Sequence, residues 1–302
     1  DGTVTPSKLG YNFTPTNRTY TDIITNQTAQ DYTATLNTYT ISGNAGVVGV
    51  LITYTGGTTT TDEIGDYCFT VDYGWTGTVT PSKLGYVFEP SSKDFTNVTS
   101  NQTQNFTATQ IKHSIPLLLG WNLVSFNVVP LDSDTADILA DLTTNYDLVY
   151  AWDASGASAA SGNWLKYDRL ATAPESNTLT ELHEFMGFWI RMTAADILDV
   201  YGSAYPTSTD ITLSTAAGGW NLVGLPSNAT LDMPFALDDN GLKPVDTRLY
   251  SLVYGYRATD ATDPWELYDP AAPAYVNDLS QLEPGMGYWI KVTEAATWTV
   301  PY

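Results

Sequence analysis

Residues 65–90 read GDYCFTVDYGWTGTVTPSKLGYVFEP, and this stretch decides the architecture of the first third of the chain. Tyr67, Phe69 and Val71 alternate with other residues, which is the period-two pattern of a half-buried β-strand. Glycines interrupt the alternating runs where turns are expected. The segment therefore predicts short antiparallel strands rather than helices.

Part of this stretch occurs twice. GTVTPSKLGYN at 2–12 returns as GTVTPSKLGYV at 77–87, and the copies stay aligned through NQTAQDYTAT at 26–35 and NQTQNFTAT at 101–109. Only the second copy follows the additional stretch from Tyr39 to Trp75. We therefore interpret residues 1–37 as the back half of a repeat and residues 38–111 as a complete repeat. Either the chain is cut from a longer array, or another chain supplies the missing strands.

Short strands with threonine-rich outer faces predict a β-sandwich for the complete repeat. The pieces TISGNAGVVGVLITYTGG, TDEIGDYCFTV and GTVTPSKLGYVFEP resemble bacterial immunoglobulin-like (Ig-like) and prealbumin-like surface repeats related to the carboxypeptidase regulatory-like domain. The resemblance covers residues 38–110 and the half copy before them. It implies an Ig-like fold and the role of a spacer or stalk.

A different duplication fills the rest of the chain. GWNLVSF at 120–126 returns as GWNLVGL at 219–225, NWLKYD at 163–168 as PWELYD at 264–269, and MGFWIRMT at 186–193 as MGYWIKVT at 286–293. We interpret residues 112–206 and 207–302 as two GWNLV repeats, folded separately or as one joint domain. The blocks resemble the GWNLVS…GYWI repeats of secreted and cell-surface bacterial and archaeal proteins, a family that implies a location but no activity.

Within each GWNLV repeat the spacing predicts strands and short helices. DTADILADL at 134–142 has apolar residues at helical spacing behind a capping Asp134, and TLTELHEF at 178–185 has a similar pattern. The expected order in each repeat is β-α-β-β-α-β-β. The fold class is therefore mainly β, with Ig-like β-sandwich repeats followed by a duplicated antiparallel β-rich module with short helices.

Charge and hydropathy exclude two classes of partner. The chain has 33 acidic and 12 basic residues, a net charge of −21 and a pI of 4.1. Because such a surface repels phosphate backbones and anionic lipid headgroups, we expect neither nucleic-acid binding nor membrane insertion. No apolar run reaches the ~18 residues of a membrane-spanning helix. With no signal peptide before Asp1, the chain is expected to be soluble and either mature or a fragment.

The sequence does not predict an enzyme, and no catalytic residue is assigned. A nucleophilic triad needs a base, and the two histidines, His113 and His183, are better interpreted as solvent-facing or capping residues, with His183 on the 178–185 helix. GNAGVVG at 43–49 has the wrong spacing for a phosphate-binding loop. Paired carboxylates could catalyse glycoside hydrolysis, but no Asp or Glu stands out for that role.

Calcium is the one cofactor that the sequence suggests, because clustered carboxylates suit a hard cation. The candidate ligands are Asp132, Asp134 and Asp137, then Asp238 and Asp239 with Asn240, and finally Asp260 with Asp263. None of these clusters matches the EF-hand loop, and solvated loops or helix caps are the competing interpretation. The single cysteine, Cys68, excludes an internal disulfide.

Aromatic residues are concentrated in the second part, which has eight of the nine tryptophans. Trp121, Trp189, Trp220 and Trp289 recur at fixed repeat positions, which favours core packing. The candidate ligand-binding residues are Trp152, Trp164, Tyr167, Trp265 and Tyr268. Their rings could stack on a sugar. For Trp164 and Trp265, burial in the core or in a seam between repeats is the alternative.

Seven Asn-x-Thr triplets are candidate glycosylation sites, namely Asn12, Asn17, Asn26, Asn97, Asn101, Asn105 and Asn228. Repetition of an Asn/Thr-rich motif also generates such triplets without selection for glycans. Tandem repeats, abundant threonine and both resemblances indicate an extracellular or cell-surface protein that is not catalytic.

Two functions remain open at this stage. As a structural protein, the chain would assemble into a filament or surface layer, with copies of itself or neighbouring repeats completing the half repeat by β-strand addition. As an adhesion module, it would bind a carbohydrate or cell-wall polymer through its exposed Trp and Tyr side chains.

Overall fold

The fold is that of a computed structural model, which describes residues 1–156, 163–173, 176–204, 208–244 and 247–301. The chain divides into two compact units, Asp1–Gln110 (unit 1) and Ile111–Tyr302 (unit 2). The predicted border between the two GWNLV repeats, at residues 206 and 207, lies outside the described residues.

Unit 1 consists of short strands joined by turns. Residues 1–37 form β1 (Gly2–Val4), β2 (Tyr11–Thr14), β3 (Arg18–Tyr20) and β4 (Thr33–Leu36). The complete repeat forms β5 (Thr38–Asn44), β6 (Leu51–Tyr54), β7 (Gly57–Thr60), β8 (Asp66–Asp72), β9 (Trp75–Ser82), β10 (Tyr86–Glu89), β11 (Lys93–Val98), β12 (Gln102–Thr103) and β13 (Thr107–Gln110).

The complete repeat of unit 1 is a β-sandwich. Its two main sheets have the strand orders β11-β9-β6-β7 and β12-β5-β8, and β10 pairs with β13. All pairings are antiparallel except that of β12 with β5. Strand alternation turns Phe69 and Val71 of one sheet toward Ile52 and Val79 of the other, and these side chains share one buried cluster.

The half repeat reproduces only part of this sandwich. β1 pairs with β3 and β2 with β4, in the registers that β9 with β11 and β10 with β13 have in the complete repeat. Nothing equivalent to β5–β8 covers these strands within the described chain. Val4 and Ile23 are consequently 53% and 56% exposed, whereas their counterparts Val79 and Val98 are 0% and 3% exposed.

Unit 2 holds both GWNLV repeats. The first repeat forms β14 (Lys112–Leu117), β15 (Gly120–Val124), β16 (Val129–Pro130), α1 (Thr135–Ile138), β17 (Tyr146–Trp152), β18 (Trp164–Asp168), β19 (Phe188–Met192) and β20 (Asp196–Ser203). The second forms β21 (Thr209–Leu213), β22 (Trp220–Gly224), β23 (Leu231–Asp232), α2 (Phe235–Leu237), β24 (Tyr250–Tyr256), β25 (Trp265–Tyr268), β26 (Gln281–Leu282), β27 (Gly287–Val292) and β28 (Ala296–Val300). Short 3-10 turns occur at Ala140–Leu142 and Ala274–Val276.

Each GWNLV repeat is built around a four-stranded antiparallel sheet. The strand order is β15-β19-β17-β18 in the first repeat and β22-β27-β24-β25 in the second. One face of each sheet packs on a core of its own, which contains Phe188 and Ile190 in the first repeat and Tyr288 and Ile290 in the second. The opposite face of each sheet therefore lies outside these two cores.

The two repeats are tied together at the ends of their GWNLV strands. Isolated β-bridges join Val124 to Met286 and Met186 to Val223. The Ser125 hydroxyl donates to the Met286 carbonyl at 2.8 Å and accepts from the Leu225 amide at 3.3 Å. Because each repeat completes backbone hydrogen bonds of the other, unit 2 is one structural body.

The mainly β fold class is confirmed, and one predicted element is wrong. The helix expected at 134–142 exists as α1, whose cap Asp134 accepts from two backbone amides, followed by the 3-10 turn. No helix forms over 178–185. Instead, the Leu182 amide, which a helix would pair with the Thr178 carbonyl, donates to the Ser133 carbonyl at 2.9 Å. The predicted order β-α-β-β-α-β-β is therefore corrected at two points in the first repeat, which has three strands before α1 and no second helix at 178–185.

Among the residues that the structure describes, no helix has the length and hydropathy needed to cross a lipid bilayer.

Candidate functional site

The outer faces of the two four-stranded sheets of unit 2 are aromatic. In β19, the side chains of Phe188 and Ile190 point into the core, so Trp189 between them points to the other face. Tyr150 lies opposite Trp189 in the register of β17 with β19, and Trp152 lies opposite Trp164 in that of β17 with β18. Residues directly opposite each other in antiparallel strands share a face. The register therefore collects these rings on one surface.

Eight of these rings form a closed circuit of contacts, which we call the aromatic circuit. Each ring centroid lies 5.6–6.2 Å from the next. The order is Trp121, Tyr150, Trp164, Trp289, Trp220, Tyr254, Trp265, Trp189 and back to Trp121. The circuit passes between repeats twice, and each ring has its counterpart in the other repeat, so it has approximate two-fold symmetry.

Two more rings support the circuit from equivalent positions. Trp152 lies 5.1 Å from Trp164 and 5.5 Å from Trp289, and Tyr256 lies 4.8 Å from Trp189. The Trp152 indole N–H donates to the Trp220 carbonyl at 2.9 Å, which orients the ring. Most of the contacts are edge-to-face, the arrangement that ring quadrupoles favour.

The aromatic circuit surrounds open space. A depression of about 720 Å³ is lined by Trp121, Tyr150, Trp164, Trp189, Trp265 and Trp289. A second of about 470 Å³ is lined by Trp152, Trp164, Trp220, Tyr254, Trp265 and Trp289. Trp164 and Trp265, which border both, are each 43% exposed. Volumes of roughly 300–1000 Å³ are typical of small-molecule sites.

Charged side chains at the rim are mostly paired. Arg191 lies over the Trp121 ring at 5.5 Å and binds Asp147 through two hydrogen bonds of 2.8 and 2.7 Å. This bidentate bond lowers the pKa of Asp147 below its usual value. Lys166, opposite Tyr150 in the sheet, lies 3.5 Å from Asp168. The rim of the first repeat is therefore polar but close to neutral.

The second repeat differs at the matching rim position. Lys291 takes the place of Arg191, with its ammonium 5.4 Å from the centre of the Trp220 ring. Ser251 takes the place of Asp147, and its hydroxyl donates to the Lys291 carbonyl rather than to a side chain. The two halves of the face are thus alike in their rings and unlike in their rim charges.

The core-packing interpretation of Trp121, Trp189, Trp220 and Trp289 is corrected by this geometry. All four are half-buried and lie outside the core clusters, because strand alternation turns them away from the core. Two of the predicted platform residues do not join the others. Tyr167 and Tyr268 lie opposite Val149 and Val253 and pack against the two cores, on the reverse of the sheets from Trp164 and Trp265.

The predicted calcium ligands have other tasks in the structure. Asp132 and Asp134 accept backbone amides at the start of α1, and Asp137 lies in its first turn. Burial works to raise the pKa of Asp238, but hydrogen bonds from Arg248 and Tyr250 outweigh it and lower that pKa. Asp239 is exposed beside it. Within the described ranges, no three His, Cys or carboxylate side chains are grouped to hold a metal ion. Calcium binding stays a prediction.

The candidate glycosylation sites are all accessible. Each of the seven asparagines is exposed. Asn101 and Asn105 use their side-chain carbonyls to accept the amides of Thr40 and Asn44, which anchors the segment around β12 to β5. Modification of these sites stays a prediction.

The two histidines lie apart from the aromatic circuit. His183 is not on a helix as predicted; it lies in a turn, 3.2 Å from Glu181. His113 lines a separate depression of about 280 Å³, and its Nδ1 accepts the Asn127 amide at 3.2 Å. Burial lowers the pKa of His113 to about 4. His113 is therefore a neutral structural acceptor near pH 7.

Unit 2 should lose stability in mild acid because of His113. The unfolded chain protonates this histidine below its ordinary pKa of about 6.5, while the folded one resists until about pH 4. The free energy of unfolding is thus highest above about pH 6.5 and decreases as the pH falls toward 4. Between pH 7 and pH 5 it decreases by about 2 kcal/mol. Urea unfolding followed by tryptophan fluorescence at both pH values measures the loss. His113→Gln should remove most of it and His183→Gln should not; an unchanged loss in His113→Gln would contradict the assignment.

No known protein-family model matches the chain. In sequence, it is 35% identical over 114 residues to chitinase ChiA of Flavobacterium johnsoniae. The match covers 34% of this chain and 7% of that protein, so the chain spans a small fraction of this relative.

Two solved structures give weak matches. The Bacillus anthracis TIE protein aligns with a TM-score of 0.26 and 8% identity, covering 89% of this chain and 51% of that one. A variant of BcpA, the major pilin subunit of Bacillus cereus, aligns with a TM-score of 0.25 and 10% identity, covering 88% and 86%. Scores this low do not establish a shared fold. The resemblance of unit 1 to carboxypeptidase regulatory-like surface repeats therefore stays a prediction.

Proposed function

We propose that this protein is a non-catalytic, extracellular adhesion protein, in which unit 1 is a spacer and unit 2 binds a glycan on the aromatic circuit. The observation that carries the proposal is the open, two-fold aromatic face with Trp164 and Trp265 exposed at its centre. An aromatic face of this size on a monomer typically marks an interaction site.

The chemistry of the face fits a sugar. Pyranose rings present C–H groups with partial positive charge, which stack on the electron-rich faces of indoles. Hydroxyl groups around the same ring need donors and acceptors, and the paired Asp147 and Arg191 and the paired Lys166 and Asp168 offer both at the rim.

The net charge favours a glycan over a nucleic acid or an anionic membrane as the ligand. A chain of net charge −21 repels nucleic acids and anionic membranes. Neither the aromatic circuit nor its rim brings a nucleophile and a base together, which supports a binding role over a catalytic one. The similarity to part of a protein named chitinase adds chitin to the polymers worth testing.

Retention on insoluble polysaccharides tests the proposal. The full chain should co-sediment with at least one of cellulose, chitin, β-1,3-glucan or a bacterial cell-wall preparation, and soluble fragments of that polymer should release it. The intrinsic tryptophan fluorescence should change on binding, because the rings at the site dominate the emission. Absence of retention on all four materials would contradict glycan binding.

A second candidate function is assembly, and the half repeat in unit 1 favours it. Val4 and Ile23 are exposed where their counterparts in the complete repeat are covered by neighbouring strands. An uncovered pair of strands with apolar residues is a template for β-strand addition. We propose that a second copy of the chain covers this surface, as a subunit contact in a filament or surface layer.

Charge placed on the uncovered strands should block that assembly. The unmodified chain is expected to self-associate with rising concentration, and Val4→Asp combined with Ile23→Asp to remain monomeric, because strand addition would bury both carboxylates. Leu9→Asp is the matched control, since Leu9 and its counterpart Leu84 are exposed in both copies. Sedimentation velocity measures the outcome. An unmodified chain that stays monomeric at every concentration would eliminate this contact.

A further inference from the structure

The two depressions bordered by the aromatic circuit have equivalent linings from the two repeats. Trp121 and Tyr150 line the first depression, and their repeat counterparts Trp220 and Tyr254 line the second. Trp164, Trp265 and Trp289 line both, so the two depressions meet at these three rings. Two adjacent depressions with equivalent aromatic linings suit a polymer, which presents the same chemical group to each depression.

The charges around the face select against ionic ligands of either sign. Arg191 and Lys291 already lie over the rings of Trp121 and Trp220, where a cationic ligand would otherwise stack. The overall negative charge of the protein repels a polyanion, and the nearby cations Arg191 and Lys166 are already paired with Asp147 and Asp168. An uncharged ligand is the one that neither group opposes.

Building on the glycan-binding function proposed above, we infer that the ligand is an uncharged polysaccharide chain that spans both repeats. Consecutive sugar rings of one chain lie in the two depressions, with Trp164 and Trp265 between them as the shared stacking surface. Single sugars can fill only one depression. Linking two such sugars makes the second contact intramolecular and raises the overall affinity.

Titration of the full chain with oligosaccharides of increasing length tests this inference. The probes are glucose and the cello-oligosaccharides from two to six units, the corresponding N-acetylglucosamine and laminari series, and alginate oligosaccharides as charged controls. In one uncharged series, affinity measured by calorimetry should rise at least about tenfold from the monosaccharide to the tetrasaccharide and then level off.

Single substitutions at the two ends of the face provide the matched pair. Trp121→Ala removes a wall of the first depression only and Trp220→Ala a wall of the second only. Each should weaken binding of the hexasaccharide about tenfold or more, to the level of a disaccharide, and flatten the length dependence. Near-ultraviolet circular dichroism and the melting temperature establish that each variant is folded. If a variant does not fold, the length series with the unmodified chain still tests the inference.

The outcomes distinguish the spanning polysaccharide chain from glycan binding as such. Equal affinity for monosaccharide and hexasaccharide would overturn the spanning chain and leave glycan binding intact. Tighter binding of alginate than of any uncharged series would overturn the assignment of an uncharged ligand. Failure of every series, together with no retention on insoluble polymers, would remove the proposed function itself. Self-association that Trp164→Ala abolishes would assign the face to a second copy of the chain instead.

Discussion

Replacing both Trp164 and Trp265 with alanine is expected to abolish retention on polysaccharide while unit 2 stays folded. The two rings border both depressions, and each is 43% exposed, so they contribute contact area that faces the ligand rather than the core. Truncating an aromatic hot spot costs about 2 kcal/mol or more of binding free energy, so the double variant should bind roughly a thousandfold more weakly.

The fold should survive this change because neither ring belongs to a core cluster. Each loses edge-to-face contacts worth about 0.5–1.5 kcal/mol apiece, which lowers the melting temperature without removing the cooperative transition. Tyr275→Ala is the control, since Tyr275 is 89% exposed and lines neither depression. It should bind like the unmodified chain. If the double variant fails to fold, the rings are structural and the binding assignment loses its support.

Valine at Gly187 and Gly287 is expected to prevent unit 2 from folding. A Cβ atom at Gly187 would lie 2.6 Å from the Val223 carbonyl oxygen, and one at Gly287 would lie 2.9 Å from Leu123 Cδ1 and 3.1 Å from the Gly187 Cα. Both clashes fall in the seam between the repeats, where backbone atoms cannot move without breaking the bridges at Val124 and Met186. Overpacking costs about 3 kcal/mol or more per site where the clash is with backbone atoms, so the pair removes the whole free energy of unfolding of a domain near the lower end of the range, about 5 kcal/mol.

Tryptophan fluorescence and near-ultraviolet circular dichroism report this effect, since eight of the nine tryptophans follow residue 112. The double valine variant should show no cooperative melting by either signal. Gly218→Ala is the control, because a Cβ there meets nothing within 4 Å and only its φ of +67° opposes the change, at about 1 kcal/mol. A double variant that melts like the unmodified protein would mean that the two repeats are independent.

The candidate site was partly readable from strand alternation. Leu148, Tyr150 and Trp152 share a face by their spacing, and Phe188 and Ile190 share the opposite one, so Trp189 between the latter belongs with the exposed rings. Tyr167 follows Trp164 by an odd number of positions, which places it on the reverse of the strand. The recurrence of tryptophan at fixed repeat positions favours core packing, but the period of two places these rings on the face opposite the core.

The helix expected at 178–185 failed for a different reason. Leu179 and Leu182 are buried as their apolar character suggests, but spacing of three is also compatible with an irregular segment. The Leu182 amide finds its acceptor at Ser133, a residue 49 positions earlier that local sequence does not reveal as a partner. Hydrogen bonds with distant residues decided the backbone there.

The strand-rich fold, the half and complete repeats of unit 1 and the duplication in unit 2 follow from alternation and repetition, which can be recognised in the amino-acid order alone. The contacts of Trp164 with Trp289 and of Trp265 with Trp189 follow instead from how the two repeats pack against each other. These contacts join residues 125 and 76 positions apart, and they depend on how the two sheets are bridged at Val124 and Met186. Packing between repeats, which no local pattern encodes, turned two sets of rings into a single face.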